Sequence, residues 1–170
     1  RQLGILNELG IETRWVVVGT HRKEFFDLTK RLHNLLHGSG DPVLSAADHE
    51  LYSLVSRELR DEFRPLLGRD DVLMIHDPQP AGMGALLKSE LDLPAVWRCH
   101  IGLDQDIPQT RVGWSLLEPY VTAYDRAVFT AEEYVPRFLA DRAHLVRPAL
   151  DPYSEKNRQL RVPEVVEILG

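Results

Sequence analysis

Val72-Leu73-Met74-Ile75 is an unbroken apolar run that passes directly into His76-Asp77-Pro78-Gln79-Pro80. Apolar residues without polar alternation fit a strand covered on both faces, the form parallel sheets take. The figure returns after a short helix through Leu86 and Leu87, where Ala95-Val96-Trp97 leads into Arg98-Cys99-His100-Ile101. Strand, helix and strand at that spacing make a βαβ unit with a right-handed crossover, so the two runs predict a parallel sheet.

The rest of the chain extends this pattern in both directions. Towards the amino end, Leu3, Leu6 and Leu9 recur at helical spacing, and Gly10 followed by Ile11 predicts the helix stop. Trp15-Val16-Val17-Val18 reads as a further strand, broken at Gly19-Thr20-His21. Phe25, Leu28, Leu32 and Leu35 predict an amphipathic helix from Arg22 to His37. Ser45 with Asp48 resembles a capping box, opening a helix that carries Leu51, Leu54, Val55, Leu59 and Phe63. Towards the carboxyl end, a polar loop from Gly102 to Gln109 precedes a helix with Trp114, Leu117 and Val121, then strands at Ala127-Val128-Phe129 and around Leu145-Val146. Arg147 to Asn157 is linker-like, and Val165, Val166, Ile168 and Leu169 suggest a last helix. The fold class is α/β, a Rossmann-like parallel sheet with helices on both faces.

At 170 residues and 44% hydrophobic content, the chain can bury one sizeable core. A net charge of -6 with both signs interspersed argues against nucleic acid as a partner. Cys99 is the lone cysteine, which rules out an internal disulfide and suits a reducing cytoplasm. No apolar run approaches the roughly 20 residues of a membrane span, and Arg1-Gln2-Leu3-Gly4 is not a signal peptide, so no membrane partner is expected. The chain opens inside a helical pattern without an initial Met, and reads as a fragment whose first strand is missing.

Ligands of open parallel sheets bind beyond the carboxyl ends of the strands. A polar residue follows every apolar run: His21, then His76 and Asp77, then Arg98 and His100, then Thr130. Pro78 and Pro80 keep their neighbours out of regular structure and hold the polar side chains at the strand end. A histidine gives or takes one hydrogen bond, an aspartate accepts several and a glutamine does both, so His76, Asp77 and Gln79 suit a ligand covered in hydroxyls. The same stretch also reads as a helix start, with Asp77 the N-cap, Pro78 in the first turn and His76 packed. Arg98 and His100 leave one side of an extended chain and Cys99 the other. Arg98 offers a fork for phosphate or carboxylate and His100 a partner for a sugar or a proton, the alternative being a structural ion pair and a buried histidine. His33, beside Asn34 on the polar side of its helix, reads alone as a surface or capping histidine.

Several chemistries lack their signatures. His76, Asp77, Cys99 and His100 have none of the spaced ligand pairs of zinc sites. Gly82-Met83-Gly84 has Leu87 where a dinucleotide fingerprint needs glycine, and there is no phosphate-binding loop. There is no Gly-x-Ser-x-Gly elbow, and Cys99 reads as buried rather than nucleophilic.

Taken with Arg147-Pro148-Ala149-Leu150-Asp151-Pro152-Tyr153-Ser154-Glu155-Lys156-Asn157, the strand ends at His76–Pro80 and Trp97–Ile101 resemble the trehalose synthase and trehalose phosphorylase group of family-four glycosyltransferases. Leu9-Gly10-Ile11-Glu12, Trp15, Phe25-Phe26 and the stretch from Lys30 to Asn34 extend the resemblance in order along nearly the whole chain. It implies the amino-terminal half of a two-domain enzyme: residues 1–150 the Rossmann-like acceptor-side domain, and 151–170 the start of the crossing towards a donor-binding domain. It further implies retaining transfer of glucose from a nucleotide-glucose donor to glucose, forming trehalose, with no metal or other cofactor and no enzyme nucleophile. His76, Asp77 and Gln79 would contact glucose hydroxyls near the reacting carbon, with His76 and Asp77 the catalytic pair, Arg98 and His100 would line the cleft, and His33 would be a further acceptor contact. Gly102 departs from relatives with an aspartate after the His-Ile pair, and Asp104 is the nearest replacement. A trehalose phosphorylase of the same group and a non-catalytic sugar-binding or interaction module are the alternatives. The isolated fragment is expected to be inactive, the location cytoplasmic, and a homo-oligomer is left open.

Overall fold

The computed structural model describes residues 2–148. The crossing at 151–170 and the helical pattern of Val165, Val166, Ile168 and Leu169 lie outside them. Four parallel strands, β1 (Leu73–His76), β2 (Ala95–Arg98), β3 (Arg126–Phe129) and β4 (Ala143–Leu145), lie side by side in sequence order. Helix α4 (Ala81–Leu91) joins β1 to β2, α5 (Pro108–Val121) joins β2 to β3, and a 3-10 segment, Arg137–Arg142, leads into β4.

Successive right-handed crossovers carry their helices over one face of a sheet built in sequence order. The register shows which side chains that face receives. Ile75 pairs with Trp97 and Trp97 with Ala127, and all three are buried. Trp97 is fully enclosed, edge-on to Trp114 of α5 at 6.2 Å and to Phe129 of β3 at 5.9 Å. The alternate row, Met74, His76, Val96, Arg98 and Val128, is exposed or only partly covered. The polar residues that end β1 and β2 therefore stand on the open face, not against the helical layer. The parallel α/β sheet is as expected, but among the described residues the connecting helices cover one face rather than both, because strands laid in sequence order send every right-handed crossover to the same side.

The helical layer is completed by α2 (Lys23–Leu36) and α3 (Ala46–Phe63). Helix α2 buries Phe25, Leu28, Leu32 and Leu35, the stripe its spacing predicts, and Leu36 with them. Helix α3 opens with the expected capping box: Asp48 N–H donates to Ser45 Oγ at 3.2 Å, and Ser45 N–H donates to Asp48 Oδ2 at 2.8 Å. Ser45→Ala removes one acceptor of that pair and is expected to lower stability by about 1 kcal/mol, read as a smaller urea midpoint at unchanged slope.

Helix α1 (Gln2–Glu8) stops as its sequence predicts, with Gly10 at φ 74° and Ile11 N–H donating to the Leu6 carbonyl at 2.9 Å. The expected strand at Trp15–Val18 is not formed. Val17 is 82% exposed and Trp15 59%. An apolar run becomes a strand only when a neighbour takes its backbone hydrogen bonds, and among the described residues no strand pairs with this one. Two boundaries also shift. Helix α5 begins at Pro108, inside the expected loop, and β4 sits at Ala143–Leu145, with Val146 N–H still donating to the Phe129 carbonyl at 2.8 Å.

Candidate functional site

Strands β1 and β2 end side by side, with His76 in register with Arg98. The chain then turns at Asp77, whose φ of 65° is in the left-handed region that non-glycine residues seldom enter. Three hydrogen bonds hold it there. Asp77 N–H donates to the Arg98 carbonyl at 2.8 Å, the Asp77 carbonyl accepts from Trp97 Nε1–H at 2.9 Å, and Asp77 Oδ1 accepts from His100 N–H at 3.1 Å. Asp77 is therefore a clasp between the two strand ends. The helix-cap reading fails, because α4 starts at Ala81 behind Pro80 and has no side-chain cap.

Two buried tyrosines fix the turn from below. Tyr52 Oη donates to the Pro78 carbonyl at 2.6 Å and accepts from Gly82 N–H at 3.1 Å, while Tyr124 Oη donates to the Ala81 carbonyl at 2.7 Å. A Cβ on Gly82 would lie 2.9 Å from both Tyr52 Cε1 and Ser56 Cβ. The glycine is thus a close-packing position under the turn. Tyr52→Phe leaves a buried carbonyl and N–H without their partner and is expected to cost about 1–3 kcal/mol, measured as a lower urea midpoint.

On the open face, His76 Nδ1 lies 3.3 Å from His100 Nε2, with the rings nearly parallel at 15°. One nitrogen of this contact must donate and the other accept, so the contact uses one N–H, and with both rings neutral the accepting ring carries its own N–H outward. Burial pushes His76 below the usual imidazole range; His100 and Arg98 act in the same direction, against Asp77. Burial, with His33 next, does the same for His37 on α2. Both groups are harder to protonate folded than unfolded, so below the usual value of 6.5 the unfolded chain binds more protons and stability falls with pH. The urea midpoint is expected to drop between about pH 7.5 and about pH 5.5, above the range where the depressed carboxylates titrate. The drop should shrink when His76 and His37 are both replaced by asparagine, and a flat profile in the unaltered protein would contradict this.

The remaining residues divide by position. Gln79 is partly exposed just past the clasp, and its amide has no hydrogen-bond partner among the described residues. Cys99 is enclosed, its thiol pushed up to about 12 by burial, with Sγ donating to the Ile101 carbonyl at 3.2 Å. That is an inert cysteine, as its sequence setting predicts. His33 makes no hydrogen bond or ring contact with His76 or His100 among the described residues; its ring lies 4.7 Å from that of His37, tilted by 57°. Its end of α2 nevertheless borders the loop after β2, since a Cβ on Gly38 would meet Ile107 at 3.1 Å and Gln109 Nε2 donates to the Gly40 carbonyl at 3.4 Å. A Cβ on Gly102 would lie 2.5 Å from Tyr134 Cβ and 3.0 Å from its Cα, so this backbone has no room for an aspartate there. Asp104 is exposed.

Sequence reasoning missed Trp15 as a member of this cluster. Its ring lies 5.5 Å from that of His76, tilted by 50°, and largely exposed. Reading residues 15–18 as a covered strand hid it, and no local signal separates a buried tryptophan from one lying over a neighbour. Among the described residues no three histidine, cysteine or carboxylate side chains gather as metal ligands, and no helix is long and apolar enough to cross a membrane.

The chain as a whole matches known proteins. Residues 1–136 match the family described as "Trehalose synthase, N-terminal domain". The chain belongs to that family. The matched span of this trehalose synthase N-terminal domain takes in His33, His76, Asp77, Gln79, Arg98 and His100. The chain is 39% identical over 166 residues to the trehalose synthase of Pyrococcus horikoshii, a match covering 97% of this chain and 38% of that protein. It is 32% identical over 164 residues to the trehalose synthase of Rubrobacter xylanophilus, covering 92% of this chain and 37% of the relative. The trehalose phosphorylase of Grifola frondosa is 34% identical over 123 residues, 64% of this chain and 16% of that protein. The chain thus spans less than two-fifths of the trehalose synthases it matches.

Proposed function

We propose that the chain is the acceptor-side half of a retaining glycosyltransferase that moves glucose from a nucleotide-glucose donor to glucose, forming trehalose. The observation carrying this reading is the His76–His100 contact, two imidazoles brought together at adjacent strand ends inside the span matching the trehalose synthase family. His76, His100 and the Gln79 amide hold the acceptor hydroxyls near the reacting carbon, and Asp77 sets the turn that presents them. Trp15 offers a flat apolar surface beside these donors, and His33 lines the cleft from the α2 side. The acceptor is thereby oriented before reaction, which is where such a site lowers the barrier. The carbon–oxygen bond to the departing phosphate breaks as the acceptor oxygen bonds on the same face. The acceptor's proton passes to the departing oxygen, and no side chain acts as nucleophile.

Holding the nucleotide-glucose donor in place takes groups beyond this chain, which spans 38% of the Pyrococcus horikoshii relative, so the 170-residue chain alone turns over no substrate. A cytoplasmic setting goes with this reading, supported by a lone cysteine that leaves the fold without an internal disulfide. The test is to supply the full-length polypeptide with glucose and each of several nucleotide-glucose donors and to identify the products. Trehalose is the expected product, and the absence of any disaccharide across donors and acceptors would overturn the reading. The likeness to the Grifola frondosa phosphorylase favours a second reading, phosphate-dependent cleavage of trehalose. Release of glucose 1-phosphate from trehalose and phosphate, without nucleotide, would establish it instead.

A further inference from the structure

Strand β2 ends in a cation that the fold leaves unmatched. Four arginines are partly buried among the described residues: Arg60, Arg64, Arg98 and Arg142. Arg60 pairs with Asp61 and Glu90, Arg64 with Glu90, and Arg142 donates to the carbonyls of Thr122 and Tyr124. Arg98 has none of this. Its Nε is shut away from solvent without a hydrogen-bond partner, and its guanidinium forms no ion pair among the described residues. The nearby carboxylate, Asp77, spends Oδ1 on the His100 N–H and is not paired with Arg98.

A partly desolvated charge without a counter-charge destabilises the fold that holds it. The position of Arg98 shows what could supply one. It leaves the open face of the sheet, in register with His76 on one side and Val128 on the other, and His100 follows two residues on. The contact between the imidazoles uses one nitrogen of each ring, which leaves His76 Nε2 and His100 Nδ1 unengaged among the described residues. A planar fork of donors, with the outward N–H of whichever ring accepts across the contact beside it, matches the oxygens of a phosphate, and the other outward nitrogen is left to accept from a hydroxyl. A neutral sugar hydroxyl has no use for a full positive charge.

We propose that Arg98, flanked by His76 and His100, binds a phosphoryl group of the substrate. This rests on the sugar-transfer reading of the same site and adds the anion that the site takes. The shared chemistry is a phosphate dianion, whether carried by the donor's diphosphate, by a sugar phosphate or by free phosphate.

The experiment titrates the full-length polypeptide calorimetrically with inorganic phosphate, glucose 1-phosphate and a nucleoside diphosphate in separate arms. Arg98→Gln and Arg98→Lys are compared with the unaltered protein, and circular dichroism checks the fold. At least one ligand is expected to bind about tenfold more weakly to Arg98→Gln, with Arg98→Lys between the two because it keeps the charge and loses the fork. The ligand showing that dependence identifies the source. Arg98→Gln is also expected to keep or raise the ligand-free melting midpoint, since it removes an unmatched charge; should it not fold, the Arg98→Lys comparison decides. Equal affinity in all three proteins for every ligand, or no binding by the unaltered protein, would overturn the proposal. A trehalose assay run beside it separates the two readings. Trehalose formation without Arg98-dependent binding removes this inference alone, and Arg98-dependent binding without trehalose removes the transfer reading alone.

Discussion

His100→Ala in the full-length polypeptide is expected to lower the rate of trehalose formation by about 10²-fold or more while leaving stability nearly unchanged. His100 is exposed and lies outside the buried core, and its backbone N–H still donates to Asp77 Oδ1 in the variant. The ring, however, is the hydrogen-bond partner of His76 at 3.3 Å and stacks on it. Without it the His76 imidazole loses its orientation and the acceptor loses one donor, and misplacement on the scale of an ångström is enough for a loss of that size. The check is kcat and KM for glucose beside a urea melt. A fall in kcat at constant stability is the expected result, and a variant that matches the unaltered enzyme would contradict it.

Trp97→Ala is expected to produce the largest loss of stability, about 3–5 kcal/mol. The side chain is fully enclosed between Trp114 and Phe129, so its removal leaves a cavity that the surrounding layer cannot close. It also takes away the Nε1–H that the Asp77 carbonyl accepts at 2.9 Å. Trp97→Phe weights the two effects differently, because it keeps most of the aromatic volume while losing the Nε1–H donor. That variant is expected to cost about 1–3 kcal/mol and to loosen the left-handed turn at Asp77. Urea melts give the stabilities. A Trp97→Ala protein within about 1 kcal/mol of the unaltered one would show that the core is not organised around this residue.

Much of this arrangement is legible in the chain because local rules and tertiary packing agree. The helix stop at Gly10, the capping box at Ser45 and the stripe of α2 are decided by groups within a few residues of one another. The parallel sheet follows from the two apolar runs and the helix between them. Legibility fails where the deciding partner is distant. Trp15–Val18 has the composition of a strand, yet a strand needs a neighbour, and Trp15 lies over His76 instead. Asp77 shows the same limit in the site. Its neighbours Pro78 and Pro80 make a cap reading reasonable, while its actual bonds run to Arg98, Trp97 and His100 across the sheet. The pairing of His76 with His100 is of this kind too, since only the register of β1 against β2 brings two separate motifs to one contact.

The central claim is that this histidine pair holds the acceptor of a trehalose-forming transfer. It is tested most directly by giving the full-length polypeptide nucleotide-glucose and glucose labelled with carbon-13 at the anomeric position, and following the anomeric resonances. The account predicts label in α,α-trehalose with the unaltered protein and a large loss of that signal in folded His100→Ala. No labelled trehalose, or an equal signal from the variant, would contradict it.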